Sequence, residues 1–292
     1  MSSGENKNML NFEQLLKKTW QLVMKNKKLW ILGFFISSVG SFAQINREDF
    51  LEISKMSGDL LTLPENLLAG KLIIALIILL AIVAIILSIV ARGSIVWGVK
   101  LARDNKPSKF WQLVRKGFSK LKDLFVMELI FLIVNIILFV PFFLSFFSGS
   151  FKVSSAVLVI SIVLIVAFNL FLFLFRHYIY CYIVLENKHS VEAIKLGYSL
   201  FRKNWKQLTL AKLLEIALWI ISGIIVFIAM AILFVPFLVL SAVLFVGLGP
   251  IIALVAGGVG VSILFLFFLV LRGLIGAYMS TYLTNVYIDI KK

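Results

Sequence analysis

Six stretches of the chain run apolar for about twenty residues, at 29–45, 72–91, 124–147, 157–175, 213–240 and 251–271. A helix needs ~20 such residues to cross ~30 Å of hydrocarbon, so the pattern predicts six membrane spans. Residues 216–271 hold no charge. The break Gly247-Leu248-Gly249-Pro250 divides them into two spans joined by an apolar outer turn. A third short span within that stretch is the alternative, and it would invert the C-terminus.

Ahead of the first span the period changes. Phe12, Leu15, Leu16, Thr19, Trp20 and Val23 fall on one face of a 3.6-residue helix, and Glu13, Gln14, Lys17, Lys18, Gln21 and Lys25 on the other. Residues 1–28 therefore form a basic amphipathic segment and 29–292 the membrane domain. Such a helix rests in the headgroup region, with Trp20 and Trp30 as anchors, or packs on sister helices, or does both.

The segment has sisters. FEQLLKKTW at 12–20, FWQLVRKGF at 110–118 and VEAIKLGY at 191–198 each end in an aromatic preceded by Thr19, Gly117 or Gly197. Each leads into an odd-numbered span. The even spans instead run into RGSIVWGVK, RHYIYCYIV and RGLIGAYMS, which begin at Arg92, Arg176 and Arg272. The chain reads as an all-α, polytopic helix bundle of three parallel-oriented two-span repeats. Each repeat has an amphipathic cytoplasmic helix, a span out, a loop, a span back and a helical extension. Repeats of matching hydropathy are a common way to build membrane folds. The hexapeptide ILFVPF recurs at 137–142 and 232–237. Its Pro141 and Pro236 are expected to kink or end spans three and five near their outer ends.

Composition agrees with the pattern: 61% of residues are hydrophobic and the mean hydropathy is +1.05, above the usual share of soluble domains. Charge sets the orientation. The loops at 46–71 and 148–156 carry four basic and five acidic residues, net −1, leaving 25 basic and nine acidic, net +16, elsewhere. By the positive-inside rule both termini are cytoplasmic in a plasma-membrane protein. The formal charge of +15 then calls for anionic inner-leaflet lipids as partners and for no nucleic acid.

Ionisable groups within hydrocarbon are the first place to look for function. Glu128 and Glu215 lie within about two turns of a cytoplasmic boundary, at depths similar to Arg92, Arg176 and Arg272. The expectation is that the two glutamates pair with two of the arginines and lock neighbouring spans. Lys212, three residues before Glu215, is a nearer partner for it. A transporter reading makes either glutamate a proton or cation site. Asn135 and Asn169 lie deeper and serve as interhelical amides. The small-residue run at 257–260 suits close helix packing.

Catalytic chemistry finds little material. His177 and Cys181 share a helix face at i, i+4, but two ligands are too few for a metal and His189 is the one other histidine. The chain has no His-Glu-x-x-His, no Gly-x-Ser-x-Gly and no aspartate within a span. No catalytic, cofactor-binding or metal-ligating residue is assigned, and the expectation is a protein that is not an enzyme and holds no cofactor.

RGSI at 92–95, RGLI at 272–275 and NKHSVEAIKLGYSLFRKNW at 187–205 carry a resemblance to six-span relatives of the glycerophosphoryl diester phosphodiesterase membrane-domain family, in the membrane region only. It implies an integral membrane protein of unassigned activity, and no catalytic residue carries over.

Two functions follow as expectations. The first is a non-enzymatic protein that organises lipid or partner proteins at the inner leaflet. Its rival is a transporter or channel for a small or amphiphilic solute, which needs a polar cavity within the membrane. A cavity lined by Asn135 and Asn169 and reached by Glu128 or Glu215 would put the rival first.

Overall fold

Local signals set where the helices start and stop. The Asn11 side chain accepts the Gln14 amide at 3.1 Å and caps the first helix. Gly249, at φ +95°, breaks the long apolar stretch where a side chain would be strained. Pro250 opens the next helix, where its missing amide costs nothing. A computed structural model describes residues 10–42, 67–147 and 151–291. Among these it is all-helical: α1 (Phe12–Lys25), α2 (Lys28–Phe42), α3 (Leu67–Arg103), α4 (Phe110–Ser119), α5 (Leu121–Phe147), α6 (Phe151–Leu185), α7 (Ser190–Lys203), α8 (Trp205–Leu248) and α9 (Pro250–Ile290).

Five helices, α3, α5, α6, α8 and α9, are long and apolar enough to cross a membrane. The apolar α2 has 15 residues, or roughly 22 Å, shorter than the hydrocarbon. Residues 43–45, assigned above to the first span, lie outside the described residues. Between 216 and 271 the chain breaks once, at Gly249, so this stretch holds two helices and no third.

One expectation narrows and another needs correction. Pro141 and Pro236 do not end their helices, which continue to Phe147 and Leu248. Stopping there would bare several amides and carbonyls to hydrocarbon, whereas continuing sacrifices one hydrogen bond. The outer loop drawn to residue 156 is also too long, because α6 begins at Phe151.

The packed core lies at the basic end, beyond the middle of the membrane. A helix of 35 residues is ~52 Å long, and α3, α6 and α9 use the surplus to run past the hydrocarbon and pack on one another. Val96, Ile179, Ile183 and Val286 are wholly buried there. The short amphipathic helices seat on these extensions, α1 on α9, α4 on α3 and α7 on α6. Each buries a pair four residues apart: Leu15 and Thr19, Leu113 and Gly117, Ala193 and Gly197. A Cβ on Gly117 would come 2.5 Å from the Val90 carbonyl oxygen, so that contact admits no side chain. Thr19 accepts the Asn285 side-chain amide at 3.0 Å. Trp20 lies at the rim of its buried stripe, edge-on to Tyr278.

Toward the other end the helices face lipid. α5 lies along α6, α8 along α9, and α2 between α9 and α3. The most apolar stretch of α8 has no buried residue among those described, an arrangement untenable in water and ordinary in a bilayer. The small-residue run of α9 meets α8, with Gly260 against the Phe237 ring and Gly257 facing Ser241.

Candidate functional site

Where the consolidated end gives way to the lipid-facing parts of the helices, the six apolar helices border an open cavity of about 670 Å³. Every one of them contributes a polar group to its lining. α2 brings Ser37, α3 Arg92, α5 Glu128 and Asn135, α6 Arg176 and Asn169, α8 Lys212 and Glu215, and α9 Arg272. Glu128 and Asn135 lie four and eleven residues past Leu124, where the apolar window begins, or roughly 6 and 16 Å along the helix. The cavity thus reaches from the rim toward mid-membrane. Phe131, Leu132, Leu172, Phe173 and Trp219 complete its walls.

The five sequence-predicted ionisable residues all line this one space. Glu128 and Arg176 form a two-pronged pair between α5 and α6, with Nε 3.1 Å from Oε1 and Nη2 on Oε2. The Tyr180 hydroxyl donates to the same carboxylate. Glu215 does not bond an arginine. Its partner is Lys212, at 2.8 Å one turn earlier on α8, and that ammonium also sits 4.4 Å from the centre of the Phe173 ring. Both Lys212 and Glu215 are buried. Arg92 and Arg272, each expected as a possible carboxylate partner, take other contacts. Arg92 lies 5.8 Å above the Tyr180 ring. Arg272 donates to the Ser37 carbonyl at 2.9 Å and stands 5.6 Å from the Phe268 ring centre.

Further out, the Asn169 amide donates to Asn135 Oδ1 at 2.9 Å and to its own helix at the Ile165 carbonyl. His177 borders the cavity, with Nε2 3.1 Å from Thr284 Oγ1. Cys181 is buried below it. His189 sits apart on the surface, its Nδ1 3.2 Å from Asp123. Among the described residues no three His, Cys, Asp or Glu side chains gather as a metal site.

A family model described as a family of unknown function, DUF7544, matches residues 23–289. The chain belongs to that family. No curated protein and no solved structure matches it.

In this DUF7544 member, Ser37, Tyr180 and Trp219 join the site without any signal in the sequence, since each reaches it only through packing between helices remote in the chain. Lys212 could be found, through its i, i+3 spacing from Glu215. The α2–α9 contact that delivers Arg272 depends on backbone approach. A Cβ on Gly33 would fall 2.2 Å from the Gly273 carbonyl oxygen, so bare α-carbons are required on both helices. Two shallower clefts lie at the basic end. One is lined by Lys18, Lys25 and Lys106 between α1 and the end of α3, the other by Lys100, Arg103 and Lys291.

Proposed function

We propose that this protein is a non-enzymatic membrane carrier that takes an amphiphilic solute into the cavity between its helices. The observation supporting this most directly is that Asn135 and Asn169 share one space with Glu128 and Glu215. A cavity lined both by charged groups and by aromatic and aliphatic ones suits a molecule with a polar head and an apolar tail. Its walls are membrane-facing helices, so the solute arrives from the bilayer.

The proposal includes a topology. The apolar α2 begins the first of six crossings in three units, each an amphipathic helix, an outward span, an inward span and an extension. The three buried pairs on α1, α4 and α7 support this division. With six crossings both termini share one side, and the charge asymmetry supports a cytoplasmic side for them, with the protein in the plasma membrane. Kinship with the membrane region of the glycerophosphoryl diester phosphodiesterase membrane-domain family belongs to the same proposal, resting on the Arg-bounded extensions.

Organisation of anionic inner-leaflet lipid is the second reading, and the basic clefts around Lys18, Lys25 and Lys106 favour it. Reconstituted vesicles separate the two. A carrier speeds the transbilayer movement of short-chain fluorescent amphiphiles over protein-free vesicles, and Asn169→Trp, which fills the cavity, slows it. Movement at the protein-free rate with folded protein present would leave the organising role as the better account.

A further inference from the structure

The charges of the cavity do not balance. Four cations line it, Arg92, Arg176, Lys212 and Arg272, against the two carboxylates Glu128 and Glu215. Two of the cations are already neutralised, Arg176 by Glu128 and Lys212 by Glu215. Neither Arg92 nor Arg272 has an acidic partner among the described residues. Their contacts, a tyrosine ring for one and a backbone carbonyl with a phenylalanine ring for the other, orient a guanidinium without cancelling its charge. Both are half-buried at the edge of hydrocarbon, where an uncompensated cation is costly. They come from different helices, α3 and α9, and open onto the same space.

We propose that Arg92 and Arg272 together bind a dianionic phosphate monoester. This deepens the carrier reading and rests on it. A phosphate monoester carries about −1.5 to −2 charge near neutral pH, which matches two free guanidiniums, and its oxygens accept the paired N–H groups that arginine presents. A single carboxylate or phosphodiester would leave one cation unbalanced. Beside this charged end, Phe131, Leu172 and Trp219 provide the surface for an acyl chain. The phosphate can arrive on a lipid or free in solution, and the chemistry at the arginines is common to both.

The test is native mass spectrometry of the full chain in detergent at pH 7.5, titrated separately with dioleoyl phosphatidic acid, dioleoyl phosphatidylcholine and inorganic phosphate. The phosphatidic acid is expected to bind about tenfold more tightly than the phosphatidylcholine. The double variant Arg92→Gln/Arg272→Gln should erase that preference while still binding phosphatidylcholine. Arg92→Lys/Arg272→Lys, which keeps the charge, should retain part of it and serves if the glutamine variant does not fold. Inorganic phosphate binding as well as phosphatidic acid, and lost in the same variant, keeps the arginine site and assigns it to a soluble anion. Equal binding of both lipids by the wild type overturns the phosphate site and leaves the carrier reading standing. No binding of any lipid overturns both.

Discussion

Arg176 and Glu128 meet across α5 and α6 in a two-pronged ion pair that faces the cavity, and Tyr180 completes it with a third hydrogen bond. The pair joins α5 to α6 toward the basic end of their apolar stretches. Removing one partner strands the other charge. Glu128→Gln should therefore destabilise by about 1–3 kcal/mol, below the 3–5 of a fully buried pair because Arg176 is partly exposed. Arg176→Gln should cost a similar amount, and the double variant little more than either alone. Thermal unfolding in detergent checks this, and additive losses would deny the pair a stabilising role.

Gly33 and Gly258 should respond in opposite ways to alanine. Gly33 meets the backbone of Gly273, whereas nothing lies within 4 Å of a Cβ on Gly258. Gly33→Ala should cost on the order of 1–3 kcal/mol by forcing α2 and α9 apart. Gly258→Ala should be neutral, or stabilising by up to about 1 kcal/mol through helix propensity. Unfolding midpoints of the two variants in one detergent make the comparison.

The amphipathic helix α1 is held by a buried polar contact as well as by its apolar stripe. Thr19 and Asn285 are both fully buried, and the amide of one reaches the hydroxyl of the other. Thr19→Val leaves that amide without its acceptor and should destabilise by about 1–3 kcal/mol. Limited proteolysis should then cut near the start of α1 before the rest of the chain. If α1 stays as resistant as in the wild type, the contact does not anchor it.

Asn135 and Asn169 separate stability from function. Interhelical amide bonds in membranes contribute ~0.6 kcal/mol on average, so Asn169→Leu should shift the unfolding midpoint only slightly. The same change removes a polar group from the cavity and should alter which amphiphile co-purifies. A large stability loss with unchanged bound lipid would make the amides helix glue alone.

Cys181 offers a clean probe of topology. As the one cysteine of the chain it is wholly buried, so a maleimide should label it only after denaturation. A cysteine placed at Trp111, 75% exposed on α4, should label at once and from the basic side. Labelling from the opposite face of sealed vesicles would reverse the proposed orientation.

Much of this architecture was legible because lipid enforces simple rules. Windows of about twenty apolar residues located the five helices long and apolar enough to cross a membrane, and Gly249-Pro250 marked the break between the last two because glycine and proline act locally. Of the two outcomes expected at Pro141 and Pro236, only the ending fails: in hydrocarbon a helix tolerates the lost bond sooner than it exposes its next turn. Within the site, Glu128, Glu215 and the three arginines stood out because charge in an apolar run is rare. Their partners did not follow as readily. Arg176 rather than Arg92 or Arg272 reaches Glu128 because α5 and α6 lie side by side. Lys212 takes Glu215 from one turn away on its own helix. That Ser37, Tyr180 and Trp219 share the same space is a property of packing between remote segments, which periodicity does not encode.

The placement of the core has a mechanical consequence. Buried side chains knit α3, α6 and α9 together at the basic end, while the outer parts of α3, α5, α6, α8 and α9 are largely exposed along their apolar stretches. The molecule is held firmly at one end, where protein packs on protein, and more loosely at the other, where its helices face acyl chains. The cavity lies where that packing gives way, so the lateral pressure of the surrounding leaflet should bear on the space that Arg92 and Arg272 line. Bilayers of different chain length or unsaturation should change how long an amphiphile stays bound without any change in the protein.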